Sequence, residues 1–274
     1  MKLIVFGATG QVGVQLVKQA LWRGYGVKAY GRNVFDLKIE DEKLELVKGA
    51  LFDAGEVLRA LKGCDAVLSV IGGAFDGTDK TRSLGMKNIV EQMKKANVKR
   101  IVALGGIGVL NSTDEKMLMD EKDYPQEFLH VGIEHRKAYE HLLASDLDWT
   151  FVCSPDIMND GPTGNYVTSK DYPPQPNKNR INAGDLAFEL FLDLQRQFVK
   201  WRLARHHVWR DARQSLDVLR NEGLGVQQAF PHGFFALGQR LDADFGDPVT
   251  FGVATRGFDV DKGKNGEFGV WEFH

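Results

Sequence analysis

The chain has 274 residues, 43% hydrophobic and 26% charged, enough length for one large domain or two small ones with a buried core. Thirty-five basic against 37 acidic side chains give a formal charge of −2, without the basic excess that marks a nucleic-acid binder. No apolar run approaches the ~20 residues of a membrane helix or the ~7–15 of a signal-peptide core, and Cys64 and Cys153 each sit in an apolar run as buried reduced thiols do. The expectation is a cytoplasmic protein with a small-molecule partner and neither nucleic acid nor membrane.

Strand and helix patterns alternate from the first residue. Lys2–Phe6 is a short continuous apolar run, as in a strand buried on both faces. After Gly7–Gly13, Val12, Leu16, Val17, Ala20 and Leu21 recur at helical spacing. Strands are predicted at Val27–Tyr30, Leu44–Lys48, Ala66–Ile71, Arg100–Leu104 and Trp149–Cys153. Helices are predicted at Glu56–Leu61, Thr81–Ala96 and Gly132–Ala144. Such alternation predicts an α/β fold, a Rossmann-type doubly wound parallel sheet with helices on both faces.

Residues 155–179, rich in Pro, Gly, Asn and Asp, show no sustained periodicity and fall where a segment closes over the ligand crevice. Asn182 and Asp185 suit mutual N-capping of a helix running to about Leu194. Past residue 202 the composition turns Arg-, Phe- and Gly-rich, with one predicted helix over Leu203–Asn221. This C-terminal extension, 203–274, has no assigned structure or role: an appended module, a dimerisation arm and a poorly folding segment are all compatible with it. His206 and His207 lack ligand spacing and no Cys/His cluster accompanies them, so no metal site is predicted. Arg205, Arg210 and Arg213 read as a solvated face.

The strongest chemical signal is Gly7-Ala8-Thr9-Gly10-Gln11-Val12-Gly13, between the first strand and its helix. Glycines at that spacing let the backbone turn tightly and approach a pyrophosphate, while the helix N-terminus offers amides and a positive dipole end. The strand-turn-helix context is the condition that gives this motif weight. An NAD site calls for an acid at the end of the second strand; this chain has Tyr30-Gly31-Arg32-Asn33 and no acid before Asp36. Arg32 is suited to fork onto a 2′-phosphate, which favours NADP(H) over NAD(H), the alternative being a solvated surface arginine. Asp53 either accepts from an adenine amino group or caps the helix near Glu56. Gly72, Gly73, Gly105 and Gly106, at strand C-termini, permit a cofactor to pass closely, as they would permit an ordinary turn.

GATGQVG followed by GRN, LFD, VKRIVALGGIGVL, LDWTFVCSPD and INAGDLA resembles the atypical short-chain dehydrogenase/reductase superfamily. Within it the likeness is to the NAD(P)H-binding group of flavin/biliverdin-IX-beta reductases and NAD(P)-dependent epimerase-like proteins. It runs from Met1 to about Arg202. The resemblance implies a phosphate loop at Gly7, Thr9, Gly10, Gln11, Val12 and Gly13, with Arg32 at the 2′-phosphate. It implies an adenine contact at Phe52 and Asp53, a ribose side at Ile71 and Gly72, and a nicotinamide-side loop at Cys153, Ser154 and Pro155.

The catalytic residues are less defined. Tyr166-x-x-x-Lys170 matches the dehydrogenase spacing, but it follows the sixth strand among glycines and prolines where an α-helix is not expected, and it is rejected. His135 and Tyr139 share a helical face as acid/base candidates, without a lysine four residues after the tyrosine. Asp156 stands on the substrate side. The expected activity is NADPH-dependent hydride transfer to a small conjugated, quinone- or flavin-like acceptor. The alternatives are a non-catalytic NADP(H)-sensing or interaction protein and, more weakly, a nucleotide-sugar epimerase-like enzyme.

Overall fold

The computed structural model describes residues 1–175, 179–205 and 249–255. Its chain order is β1 (Lys2–Phe6), α1 (Gln11–Trp22), β2 (Gly26–Gly31), β3 (Leu44–Lys48), α2 (Ala54–Leu61), β4 (Ala66–Ser69), α3 (Thr81–Ala96) and β5 (Arg100–Gly106). There follow β6 (Asn111–Thr113), β7 (Lys116–Met117), α4 (Gln126–Leu143), β8 (Asp148–Ser154), β9 (Asp156–Met158), β10 (Tyr166–Lys170), β11 (Arg180–Asn182), α5 (Ala183–Arg205) and β12 (Val249–Thr255). Met1–Gln195 and the described residues 249–255 belong to one compact unit.

Six parallel strands, in the order β3-β2-β1-β4-β5-β8, make the centre of the sheet. The direction of strand addition reverses between β1 and β4, and in doubly wound sheets the ligand crevice opens there, beyond the strand C-termini. The alternation of side chains explains the layers. Ile4, Phe6, Val67, Ile101, Ala103, Trp149 and Phe151 point into a core shared with Val57 and Leu61 of α2, Met86, Ile89 and Met93 of α3, and Ala138 and Leu142 of α4. Their neighbours Leu3, Val5, Leu68, Val102 and Val152 are equally buried, so the opposite face is covered too. Helices α1 and α5 remain for that side, and Tyr25, in the turn after α1, packs edge-to-face on Phe191 of α5 at 5.2 Å.

The doubly wound sheet is as the sequence predicts, and β1, β3 and α3 match to the residue. Elsewhere the structure corrects the prediction. Helix α4 begins at Gln126 rather than Gly132, and α5 continues past Leu194 to Arg205. The stretch 155–179 contains two strands: β9 pairs with β11, and β10 extends the main sheet through β12. Strand β12 lies antiparallel against β8, so part of the extension belongs to the sheet. The predicted helix over 203–221 lies outside the described residues beyond Arg205, as do His206, His207, Arg210 and Arg213. Among the described residues no helix is long and apolar enough to cross a membrane, and no His/Cys/Asp/Glu group is placed to hold a metal ion.

Candidate functional site

Two glycines of the first turn are fixed by packing. Gly7 has φ +82°, and a Cβ there would lie 2.5 Å from the Val70 carbonyl oxygen. A Cβ on Gly13 would lie 2.1 Å from the Gly7 oxygen, so helix α1 docks on the turn only without a side chain at that point. The middle glycine is different: Gly10 is exposed, and a Cβ would meet only the Gly7 oxygen at 3.4 Å. Gly10 caps α1 without a side-chain hydrogen bond, and the first turn holds no acid. The first-turn amides therefore carry the positive end of the helix dipole towards open space between exposed Thr9 and Gln11. Val12 is buried and offers the site only its backbone. This open cradle fits the pyrophosphate of a dinucleotide.

At the end of β2 the buried Tyr30 hydroxyl donates to the Ala50 carbonyl at 2.9 Å, pinning the loop after β3. Burial, reinforced by Glu56 and Asp53, pushes that phenol up to about 12, so it stays protonated. Arg32 follows Gly31 into solvent, and no carboxylate among the described residues pairs with it. Asp53 is the N-cap of α2, its Oδ1 accepting from the Glu56 amide at 2.8 Å; the capping alternative is realised. Beside it Phe52 is 60% exposed, an aromatic face available to a planar group. Ile71 is buried, whereas Gly72 opens on empty space, with nothing within 4 Å of a Cβ. Gly73 is closely faced by the Asp79 carboxylate, which accepts from the Ala74 amide at 3.0 Å and shapes the loop after β4.

The nicotinamide side departs from expectation. Gly105 and Gly106 pair with Cys153 and Ser154 at the ends of β5 and β8. The space beside Gly105 is filled by the Phe151 ring and that beside Gly106 by the His135 ring, at 2.3 and 2.8 Å from an added Cβ. His135 is therefore core packing, a correction to its acid/base candidacy. Its Nδ1 has no partner among the described residues, and burial, followed by Arg82, lowers its pKa to about 3. Tyr139, one turn on, packs edge-on against Trp149 at 5.7 Å and lies over Phe151; burial pushes its phenol up. The shared helical face is real, but it points at Phe151. Cys153 is fully buried with its pKa raised by burial, so only its backbone borders the crevice. Ser154 donates to the Gly105 oxygen at 3.5 Å, Pro155 is buried, and Asp156 is exposed at the start of β9.

Burial of a neutral His135 has a pH signature. The unfolded chain binds its proton near pH 6.5, the folded chain only near 3. Stability from this group is thus complete above the unfolded value and drains as pH falls from 6.5 towards 3, by up to about 1.4 kcal/mol per pH unit. Urea titrations across that window should show a shallower acid loss in His135→Gln than in the wild type; parallel curves would refute the assignment.

The rejection of Tyr166 and Lys170 agrees with the structure: they lie on strand β10, about 13 Å apart at ~3.3 Å per residue. The Tyr166 hydroxyl donates to Glu189 at 3.0 Å. Two further carboxylates, Glu134, absent from the sequence reading, and Asp185, expected there only as a cap, have partners distant in the chain. Glu134, 2% exposed, accepts from Ser83, from Lys80 at 3.3 Å and from Lys137 at 3.3 Å, tying α3 to α4. Burial pushes its carboxyl up, but these hydrogen bonds outweigh it and hold the pKa below the usual value. Asp185 is fully buried and accepts from the Thr163 amide at 2.7 Å, the Thr163 hydroxyl at 2.8 Å and the Gly164 amide at 2.8 Å. It anchors the 157–164 strap to α5, which replaces the expected mutual capping with Asn182. The strap also meets α1, where Gln11 Nε2 donates to the Ile157 carbonyl at 3.3 Å, and Gln19 Nε2 ties α1 to α5 through the Gly184 carbonyl at 2.9 Å.

A six-stranded parallel sheet carrying a glycine turn onto an uncapped helix at its switch point defines a Rossmann-type dinucleotide-binding protein of the atypical short-chain dehydrogenase/reductase kind. The model of the NAD(P)H-binding family matches residues 7–193, and the chain belongs to that family. Among solved structures it is similar to an NADH-flavin reductase from Streptococcus pneumoniae TIGR4. That likeness has 29% identity and a TM-score of 0.60, covering 72% of this chain and 93% of the other. The YwnB protein of Bacillus subtilis is 28% identical over 177 residues, covering 62% of this chain and 80% of that one. A cinnamoyl-CoA reductase of Petunia hybrida is 27% identical over 159 residues, which span 53% of this chain and 48% of that longer protein.

Proposed function

We propose that this protein is an NADPH-dependent oxidoreductase that transfers hydride to a small conjugated, quinone- or flavin-like acceptor in the cytoplasm. The observation that carries the cofactor choice is the exposed Arg32 beyond β2, unpaired among the described residues, beside a glycine turn whose helix has no side-chain cap and no first-turn acid. A bound reduced nicotinamide supplies the hydride chemistry. The chain's own residues do the rest: the α1 amides and Arg32 hold the phosphates, Phe52 and Gly72 line the adenosine side, and the 157–164 strap borders the nicotinamide side and limits water. At the ends of β5 and β8, His135 is a neutral buried imidazole and Cys153 a protonated thiol, while Asp156, just beyond β8, is exposed. This favours acceptors whose conjugated system takes up hydride directly and draws its proton from water, over carbonyls that need an enzyme acid. Two buried free cysteines suit a reducing compartment.

The burial of His135 and Cys153 equally supports the second reading, a non-catalytic NADP(H) sensor. A panel of flavins, quinones and aldehydes with NADPH separates the two. Oxidation well above the rate with acceptor alone is expected for flavins or quinones; tight binding without turnover across the panel would leave the sensor.

A further inference from the structure

We infer that the Gln11 side chain is a positioning residue that couples occupancy of the glycine turn to the 157–164 strap, so that the dinucleotide orders the acceptor side of its own site. The inference rests on the proposed cofactor binding at that turn. Gln11 is the first residue of α1, exposed, and its backbone belongs to the cradle. Its side-chain amide leaves the cradle and donates across 146 residues of sequence to the Ile157 carbonyl in β9. One residue thus contributes to both halves of the site.

The rest of the strap is held from the other direction. Asp185 fixes Thr163 and Gly164, and the Gly184 amide donates to the Asp160 carbonyl at 2.9 Å. Gly184 also lies so close to Gly161 and Pro162 that an added Cβ would stand 2.2 Å from the Pro162 nitrogen. Gln19, two turns along α1 from Gln11, bonds the Gly184 carbonyl and so fixes α1 to the base of the strap. That base is multiply bonded, through part-buried hydrogen bonds. The Gln11 contact, by contrast, is a long exposed bond of 3.3 Å at the strap's entrance. The Ile157 end is itself held by the pairing of β9 with β11, so the Gln11 bond adds a tie from that end to the cradle. Phosphate bound by the α1 amides would restrict the Gln11 backbone, lower the entropy lost in forming its side-chain bond, and favour the docked strap. Coupling of binding free energies is reciprocal, so whatever docks the strap also tightens the dinucleotide.

The test is backbone amide exchange by mass spectrometry on the full chain, with and without NADPH, in wild type, Gln11→Met and Gln11→Ala. Methionine keeps the length of the side chain and removes the donor. In the wild type NADPH should slow exchange in both segment 8–14 and segment 157–164. In both variants protection of 8–14 should persist while the added protection of 157–164 falls about five-fold, as for loss of one hydrogen bond. NADPH affinity should weaken by a similar factor. Undiminished protection of 157–164 in Gln11→Met, or protection confined to 8–14 in the wild type, overturns the coupling while leaving cofactor binding intact. Absence of protection in both segments, with no NADPH binding by titration, overturns the cofactor proposal and the coupling together.

Discussion

Gly13→Ala is expected to lower NADPH affinity by more than ten-fold and the melting temperature by roughly 2–12 °C, as ~1–3 kcal/mol of overpacking does in a domain of this size. The added methyl would stand 2.1 Å from the Gly7 oxygen and 2.8 Å from the Ala8 Cα, both backbone, so no side chain is free to yield. The turn must open, and the α1 amides swing away from their common focus. Gly10→Ala supplies the contrast. Its methyl meets only the Gly7 oxygen at 3.4 Å, so the melting temperature should stay within about 2 °C. The methyl nonetheless occupies the space a pyrophosphate would enter, and affinity should fall comparably. Thermal melts beside fluorescence titrations check both. Gly10→Ala binding NADPH as the wild type does would remove the glycine turn from the site.

Arg32→Ala should weaken NADPH about 10- to 100-fold, the range of a charge-assisted hydrogen bond or pair, and change NADH affinity by less than about two-fold. The side chain is exposed and unpaired among the described residues, so its loss has no structural cost to confuse the result. Because the contact would be a solvent-accessible ion pair, the wild-type preference for NADPH should shrink as salt rises, and the variant should lack that sensitivity. Equal loss for both nucleotides, or none, would return Arg32 to an ordinary surface residue.

What could be read from the sequence was what depends on neighbours in the chain. The apolar run of β1, the turn after it and the helical spacing of α1 are local patterns, and all three stand as predicted. Asp53 was undecided between cap and ligand because both need the same acid before a helix; the Glu56 amide shows the cap. The failures are non-local. Tyr166–Lys170 is a strand because β12 pairs with it, from some 80 residues downstream. Asp185 looked like a capping residue until the structure brought Thr163 and Gly164 to its carboxylate. His135 and Tyr139 sit at the spacing of an acid/base pair, and the same spacing serves two rings packing on Phe151. Helical periodicity places residues on one face but does not say whether that face looks at a ligand or at the core.

The rings that fill the ends of β5 and β8 also constrain how this site can change. A serine or any larger donor at position 105 would begin with a Cβ 2.3 Å from the Phe151 ring, and one at 106 with a Cβ 2.8 Å from the His135 ring. A hydroxyl near the nicotinamide is therefore out of reach of a single substitution. It requires a smaller residue at 151 or 135 first, and that change alone opens a cavity at a cost of about 3–5 kcal/mol for a phenylalanine reduced to alanine. Either order passes through a destabilised intermediate, so positions 105 and 151 are bound to one evolutionary fate. The chemistry of this cofactor site is held in place by packing beneath the strand ends, and an engineer who wants a proton donor there must exchange both residues together.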